Sequence, residues 1–211
     1  MSDNTSNNKR IAKNTLFLYI RMIFVLLVSL YSTRAILNAL GVVDYGIYNV
    51  VAGFVLMFAF LNSSMTNTIQ RFFNFERGNS NSDNLNKVYI TSLQIQITLG
   101  IITVVLLEII GIWYINNKMV IPVDRISAAM CVFQFSVISL FLLILQIPYG
   151  AAVVAHEKMG FYAIVSMVDV ILKLFIAFIL PYIPYDRLIY YGIFMLIISI
   201  ANIFLYFVYA K

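Results

Sequence analysis

Residues Asn14–Gln70 read NTLFLYIRMIFVLLVSLYSTRAILNAL, then GVVDYGIYNVVAGFV, then LMFAFLNSSMTNTIQ. Two long apolar segments flank a short stretch from Gly41 to Gly46, which reads as a tight turn. Each segment carries polar groups that hydrocarbon tolerates only where they face protein, water or a ligand. They are Arg21 and Arg34 on the first segment, and Asn62 through Gln70 on the second. The pattern points to a membrane protein with a polar interior.

Composition supports that class. The 211 residues are 62% hydrophobic and 11% charged, against about 25% charged in a soluble domain. The N-terminus, MSDNTSNNKRIAKN, is polar and then basic, and it leads into an apolar run longer than a secretory signal core of about 7–15 residues. The reading is therefore a retained first helix behind a cytoplasmic tail of residues 1–13. The net charge of +5 is spread over loops and helix ends rather than gathered in a stripe, which argues against nucleic-acid binding. Cys131 stands alone in an apolar run. It can form neither an intrachain disulfide nor a thiol metal site.

A bilayer core of about 30 Å needs about 20 apolar residues per helix. That rule predicts an all-α bundle of six spans within 14–211, at about 14–39, 45–73, 87–115, 125–155, 160–181 and 187–210. Short loops separate them. With the N-terminus inside, Lys9, Arg10, Lys13, Arg71, Arg77, Lys87, Lys158 and Lys211 fall on the inner side, and Lys118, Arg125 and Arg187 on the outer. Lysine and arginine favour the cytoplasmic side, so this bias sets the orientation. Pro148, in QIPYG, is expected to kink or break the fourth span near Gln146.

No catalytic constellation is visible. His156 is the only histidine and sits in a loop beside Glu157 and Lys158. No Cys/His metal spacing, Gly-rich phosphate loop or nucleophile with a plausible base accompanies it, so neither an enzyme nor a cofactor or metal site is expected. What remains is intramembrane polarity. Asn62, Thr66, Gln70 and Asn74 recur every four residues, with Ser63, Asn67 and Arg71 in the adjacent row, making one broad polar face. Such a face is either helix–helix glue or the wall of a water-filled cavity; seven residues ending in an arginine favour the cavity.

Arg21 lies about two turns beyond Lys13, and a central arginine costs at least about 2.5–3.5 kcal/mol on insertion scales. A carboxylate, water or an anionic substrate must repay it. Arg34 is nearer the outer end and about 220° around the helix from Arg21, grouping with Tyr31 and Asn38. Asp169 and Lys173 stand four apart, acid before base, in the order that favours a helical ion pair. They either neutralise one another or leave Asp169 for ion coupling or for Arg21. Glu108 is either a coupling carboxylate or an interfacial residue.

The runs RAILNALGVVDYGIYNVVAGFVLMFAFLNSSMTNTIQRFF (34–73) and QIPYGAAVVAHEKMGFYAIVSMVDVILKL (146–174) resemble the polysaccharide and O-antigen flippases of the MOP (MATE-related) exporter superfamily. The resemblance covers almost the whole chain. It implies a two-lobed transporter of 12 to 14 helices around a central cationic cavity. Such a transporter moves an undecaprenyl-diphosphate-linked oligosaccharide across the bacterial inner membrane by alternating access, in lipopolysaccharide or capsule biosynthesis. Arg21 matches the cavity-facing arginines of first helices in that superfamily. Six helices would be the N-terminal lobe alone, so the resemblance also implies a fragment, a truncated product or half of a dimer. The implied partners are the lipid bilayer, the lipid-linked oligosaccharide, and glycan-assembly enzymes or a second lobe. Two other readings compete, a multidrug or metabolite exporter of the related type and a non-transporting scaffold for glycan assembly.

Overall fold

The computed structural model describes residues 2–78, 82–156 and 158–210, with side chains from Thr15 onward except at positions 61, 82, 83 and 210. The side chains of the N-terminal tail, Glu157 and Lys211 therefore lie outside the described residues. The helices are α1 (Ser2–Leu56), α2 (Phe60–Gly78), α3 (Ser82–Asn117), α4 (Ile126–Ala155), α5 (Met159–Ile179) and α6 (Arg187–Ala210). Among the described residues there is no strand. Five segments are long and apolar enough to cross a membrane: Thr15–Gly78, Asn84–Asn117, Val123–Ala155, Met159–Tyr182 and Arg187–Tyr209.

The first of these joins what the sequence reading separates into two spans. At 64 residues a straight rod would run about 96 Å, some three times the thickness of a bilayer core of about 30 Å. Gly41 breaks it, with φ 81° and ψ 166°, a conformation that is essentially reserved for glycine. Gly46 stays helical, so the expected six-residue turn is one residue wide, and helix resumes at Val42 rather than near residue 45. No side chain needs to loop out, because a single mirror-image dihedral redirects the backbone.

Contacts give the direction of the two arms. Arg21 lies over the ring of Tyr162 near the start of α5, and Ala39 packs with Leu180 beyond its end. Residues 15–40 thus run alongside α5 in the same sense. Past Gly41, Asp44 pairs with Arg125 just before α4, and Arg77 donates to the Ala155 carbonyl at its end. Residues 42–78 thus follow α4. Arg125 also pairs with Asp186, beyond the end of α5, so α4 and α5 are opposed. The two arms oppose each other too.

The main core joins the second arm to α3, α4 and α6 through Val51, Val55, Leu107, Val132, Phe133 and Leu188. Gly111 permits that approach: a Cβ there would sit 2.4 Å from the Phe133 ring. Glycine at a helix contact lets backbones close where lipid supplies no hydrophobic drive. α2 packs on α4 by Ile69 and Phe73 against Ile147, Ala151 and Ala155. Of the expected kink or break at Pro148, the break does not occur, since α4 stays helical through that buried residue. A proline removes one backbone bond. Dense packing around it holds the rest of the ladder, whose carbonyls have no water to turn to.

Candidate functional site

A cavity of about 540 Å³ opens between both arms of α1 and helices α4, α5 and α6. Its polar lining comes from four elements: Arg21 from the first arm, Gln146 from α4, Tyr162, Asp169 and Lys173 from α5, and Asn202 from α6. The rest of the wall is largely apolar, including Val25, Val55, Leu140 and Ile198. Ser136, Ser166 and Ser199 also line it, but each hydroxyl donates back to its own helix four residues earlier. That local bond lets a serine sit in an apolar helix at little cost.

Asp169 is saturated. Its Oδ2 accepts from Lys173 Nζ at 2.7 Å, and its Oδ1 accepts from Asn202 Nδ2 at 2.7 Å. The helical ion pair that the sequence order favours is present. Arg21 is the contrasting case. Its guanidinium carbon lies 4.8 Å from the centre of the Tyr162 ring, a cation–π geometry, while its buried Nε has no hydrogen-bond partner. Among the described side chains no carboxylate pairs with it, Asp169 included. The cavity therefore holds two cations, Arg21 and Lys173, against one acid, Asp169, a net charge of +1.

The structure does not bring the two halves of the sequence-derived site together. Asn62, Thr66, Asn67, Gln70 and Arg71 are not among the residues lining this cavity. Asn67 and Arg71 are exposed and Asn62, Thr66 and Gln70 half-buried, with Asn62 and Thr66 two turns before Ile69 and Phe73 on the face that packs on α4. Thr66 Oγ1 donates to the Asn62 carbonyl at 2.7 Å, and the buried Asn62 Oδ1 has no partner. Arg34, Tyr31 and Asn38 are exposed. Glu108 accepts a hydrogen bond from Gln134 Nε2 at 3.1 Å, which ties α3 to α4. Among the described residues no cluster of His, Cys, Asp and Glu could hold a metal ion.

Sequence reasoning passed over two features. One is Asn202, which completes the Asp169 site; its signal is a lone amide within the apolar run of α6. The other is a charged clamp at the Gly41 end of the bundle. There Arg125 bridges Asp44 at 3.1 Å and Asp186 at 2.7 Å, while Arg187 donates to the carbonyls of Ala39 and Pro181. Asp44 falls in GVVDYG, between the two arms, and that position is its only signal.

No family model, curated protein or solved structure matches this chain. The flippase resemblance thus draws no support from those comparisons, and function must be argued from the cavity.

Proposed function

We propose that this is an integral membrane protein of six crossings, the two arms of Thr15–Gly78 counting separately, with a cytoplasmic N-terminus in a bacterial inner membrane. It serves as one lobe of a flippase. Its cavity receives the anionic head of a lipid-linked oligosaccharide of the undecaprenyl-diphosphate type, and alternating access carries that cargo between leaflets.

Arg21 carries this reading. A guanidinium set among apolar helices, with a buried donor unused and no carboxylate beside it, is an expense that the Tyr162 ring offsets in part, leaving the rest to a ligand or water. A diphosphate suits it, because charge-assisted hydrogen bonds from arginine to phosphate are short and strong. Lys173 stands on the same wall, held by Asp169 until an anion competes for it. One observation favours a second reading, as an exporter of cationic solutes: Asp169 and Asn202 also line the cavity. A cationic solute would have to displace an ammonium already bound at 2.7 Å, and the net charge of the wall opposes its entry.

The test is equilibrium binding of a fluorescent polyprenyl-diphosphate oligosaccharide to the purified chain. Arg21→Ala should weaken binding about tenfold or more, and Arg21→Lys should retain part of it, since lysine keeps the charge but loses the fork geometry. Neutral polyprenol should bind wild type and variant alike. Equal diphosphate binding by Arg21→Ala would remove the basis for the assignment.

A further inference from the structure

A second cavity, of about 740 Å³, lies at the opposite end of the bundle from the Arg125 clamp. Its walls are aromatic. Tyr89 meets Tyr149 edge to face with ring centres 5.7 Å apart, and Tyr149 meets Phe207 at 6.1 Å. Its rim is basic, formed by His156 and Lys158 with Asn86 beside them, all exposed. Aromatic bodies beneath a basic rim are what side chains assemble at the boundary between hydrocarbon and headgroups.

The charge at this end is unbalanced. Arg71, Arg77, Lys87 and Lys158 are the described cations. Glu76 is the acid among the described side chains, where it accepts a hydrogen bond from Asn84. By sequence Asp83 stands at this end too, and Glu157 between the two rim residues, so that four cations meet three acids. The carbonyl end of α4, which would otherwise repel an anion, is already capped. Ala152 accepts from the His156 backbone, Val153 from the Lys158 backbone, and Ala155 from Arg77 Nη1 at 2.6 Å. His156 Nδ1 lies 2.8 Å from the Ala152 carbonyl oxygen. A carbonyl only accepts, so Nδ1 carries the proton, and on the neutral ring Nε2 is an acceptor that offers no donor to an anion.

We propose that this cavity binds the phosphate head of an anionic phospholipid, with Lys158 on the phosphate and Tyr89, Tyr149 and Phe207 against the glycerol and upper acyl chains. Half-exposed Phe207 and Tyr209 leave the site open on its flank, the side from which a bilayer lipid would enter. The site is separate from the Arg21 cavity and does not depend on which leaflet the Ala155 end meets.

The full chain in a neutral detergent provides the test, by native mass spectrometry with phosphatidylglycerol, diacylglycerol of the same chains, and inorganic phosphate. Phosphatidylglycerol should be retained and the other two should not. The substitution Lys158→Glu should weaken retention about tenfold by removing its charge-assisted bond, and Lys158→Arg should preserve it. Asn86→Glu, at an exposed position, should weaken it about fivefold without touching the lysine. Arg21→Ala should leave it unchanged, which separates this site from the proposed transport cavity. Retention of diacylglycerol as strong as that of phosphatidylglycerol would overturn the proposal, as would undiminished retention by both Lys158→Glu and Asn86→Glu. Retention of inorganic phosphate that responds to the same substitutions would assign the site to a free ion instead.

Discussion

At the scale of single residues, the cavity separates two ways of keeping charge among apolar helices. Asp169 is neutralised within the protein by Lys173 and Asn202, whereas Arg21 leans on the face of a tyrosine and keeps a donor unused. The first arrangement contributes to stability, and the second, on the proposed function, is open to a ligand. Asp169→Ala should therefore destabilise the protein by about 1–3 kcal/mol, because it strips a charged hydrogen-bond partner from Lys173. The double substitution Asp169→Ala/Lys173→Ala should recover part of that loss, since the stranded ammonium goes with its partner. Unfolding by titration with a denaturing detergent measures both. A double variant that is no more stable than the single one would mean that Lys173 finds water once Asp169 is gone. The i, i+4 spacing made this ion pair legible in the sequence. Nothing local announced Asn202 as its third member, because the contact spans 33 residues of chain.

At the scale of elements, glycine does two unlike jobs. Gly41 sits at φ 81° with open space around its missing side chain, so its constraint is conformational and not steric. Gly41→Ala should cost about 1–3 kcal/mol, the strain of a non-glycine residue in that region. Gly46 is helical with equally open surroundings, and Gly46→Ala should be neutral or stabilising by up to about 1 kcal/mol. Thermal unfolding of the two variants side by side checks the contrast. Similar effects from both would place the reversal elsewhere than at residue 41. The sequence marked both glycines as turn formers, and only the structure distinguishes them, since a helix tolerates an isolated glycine. Pro148 reads as a kink or a break, and of the two the break is absent. Its ring chemistry predicts a break, but burial against neighbouring helices sustained the rest of the ladder.

At the scale of the whole molecule, helix content and apolar segments were legible because membrane-length hydrophobic runs are a strong local signal. The assembly of the site was not. The face Asn62–Arg71 and Arg21 are both polar anomalies in apolar sequence, yet only Arg21 reaches the cavity, because α2 packs through Ile69 and Phe73 on Ile147, Ala151 and Ala155 of α4, none of which lines it. Periodicity reveals that a helix has a polar face but not what the face meets. The same limit governs the number of crossings, since Thr15–Gly78 satisfies the criteria for a membrane span as one segment. The opposed arms make a definite prediction about sidedness. If both arms cross, residues before Thr15 and residues near Gly78 lie on the same side of the membrane; if the segment crosses once, they lie on opposite sides. In a Cys131→Ser background, Ser6→Cys and Gly78→Cys should react together with a membrane-impermeant maleimide, only after cells are opened, while Lys118→Cys should react in intact cells. Reaction of Ser6→Cys and Gly78→Cys from opposite sides would refute the double crossing and, with it, the assignment of residues 15–40 and 42–78 to separate spans.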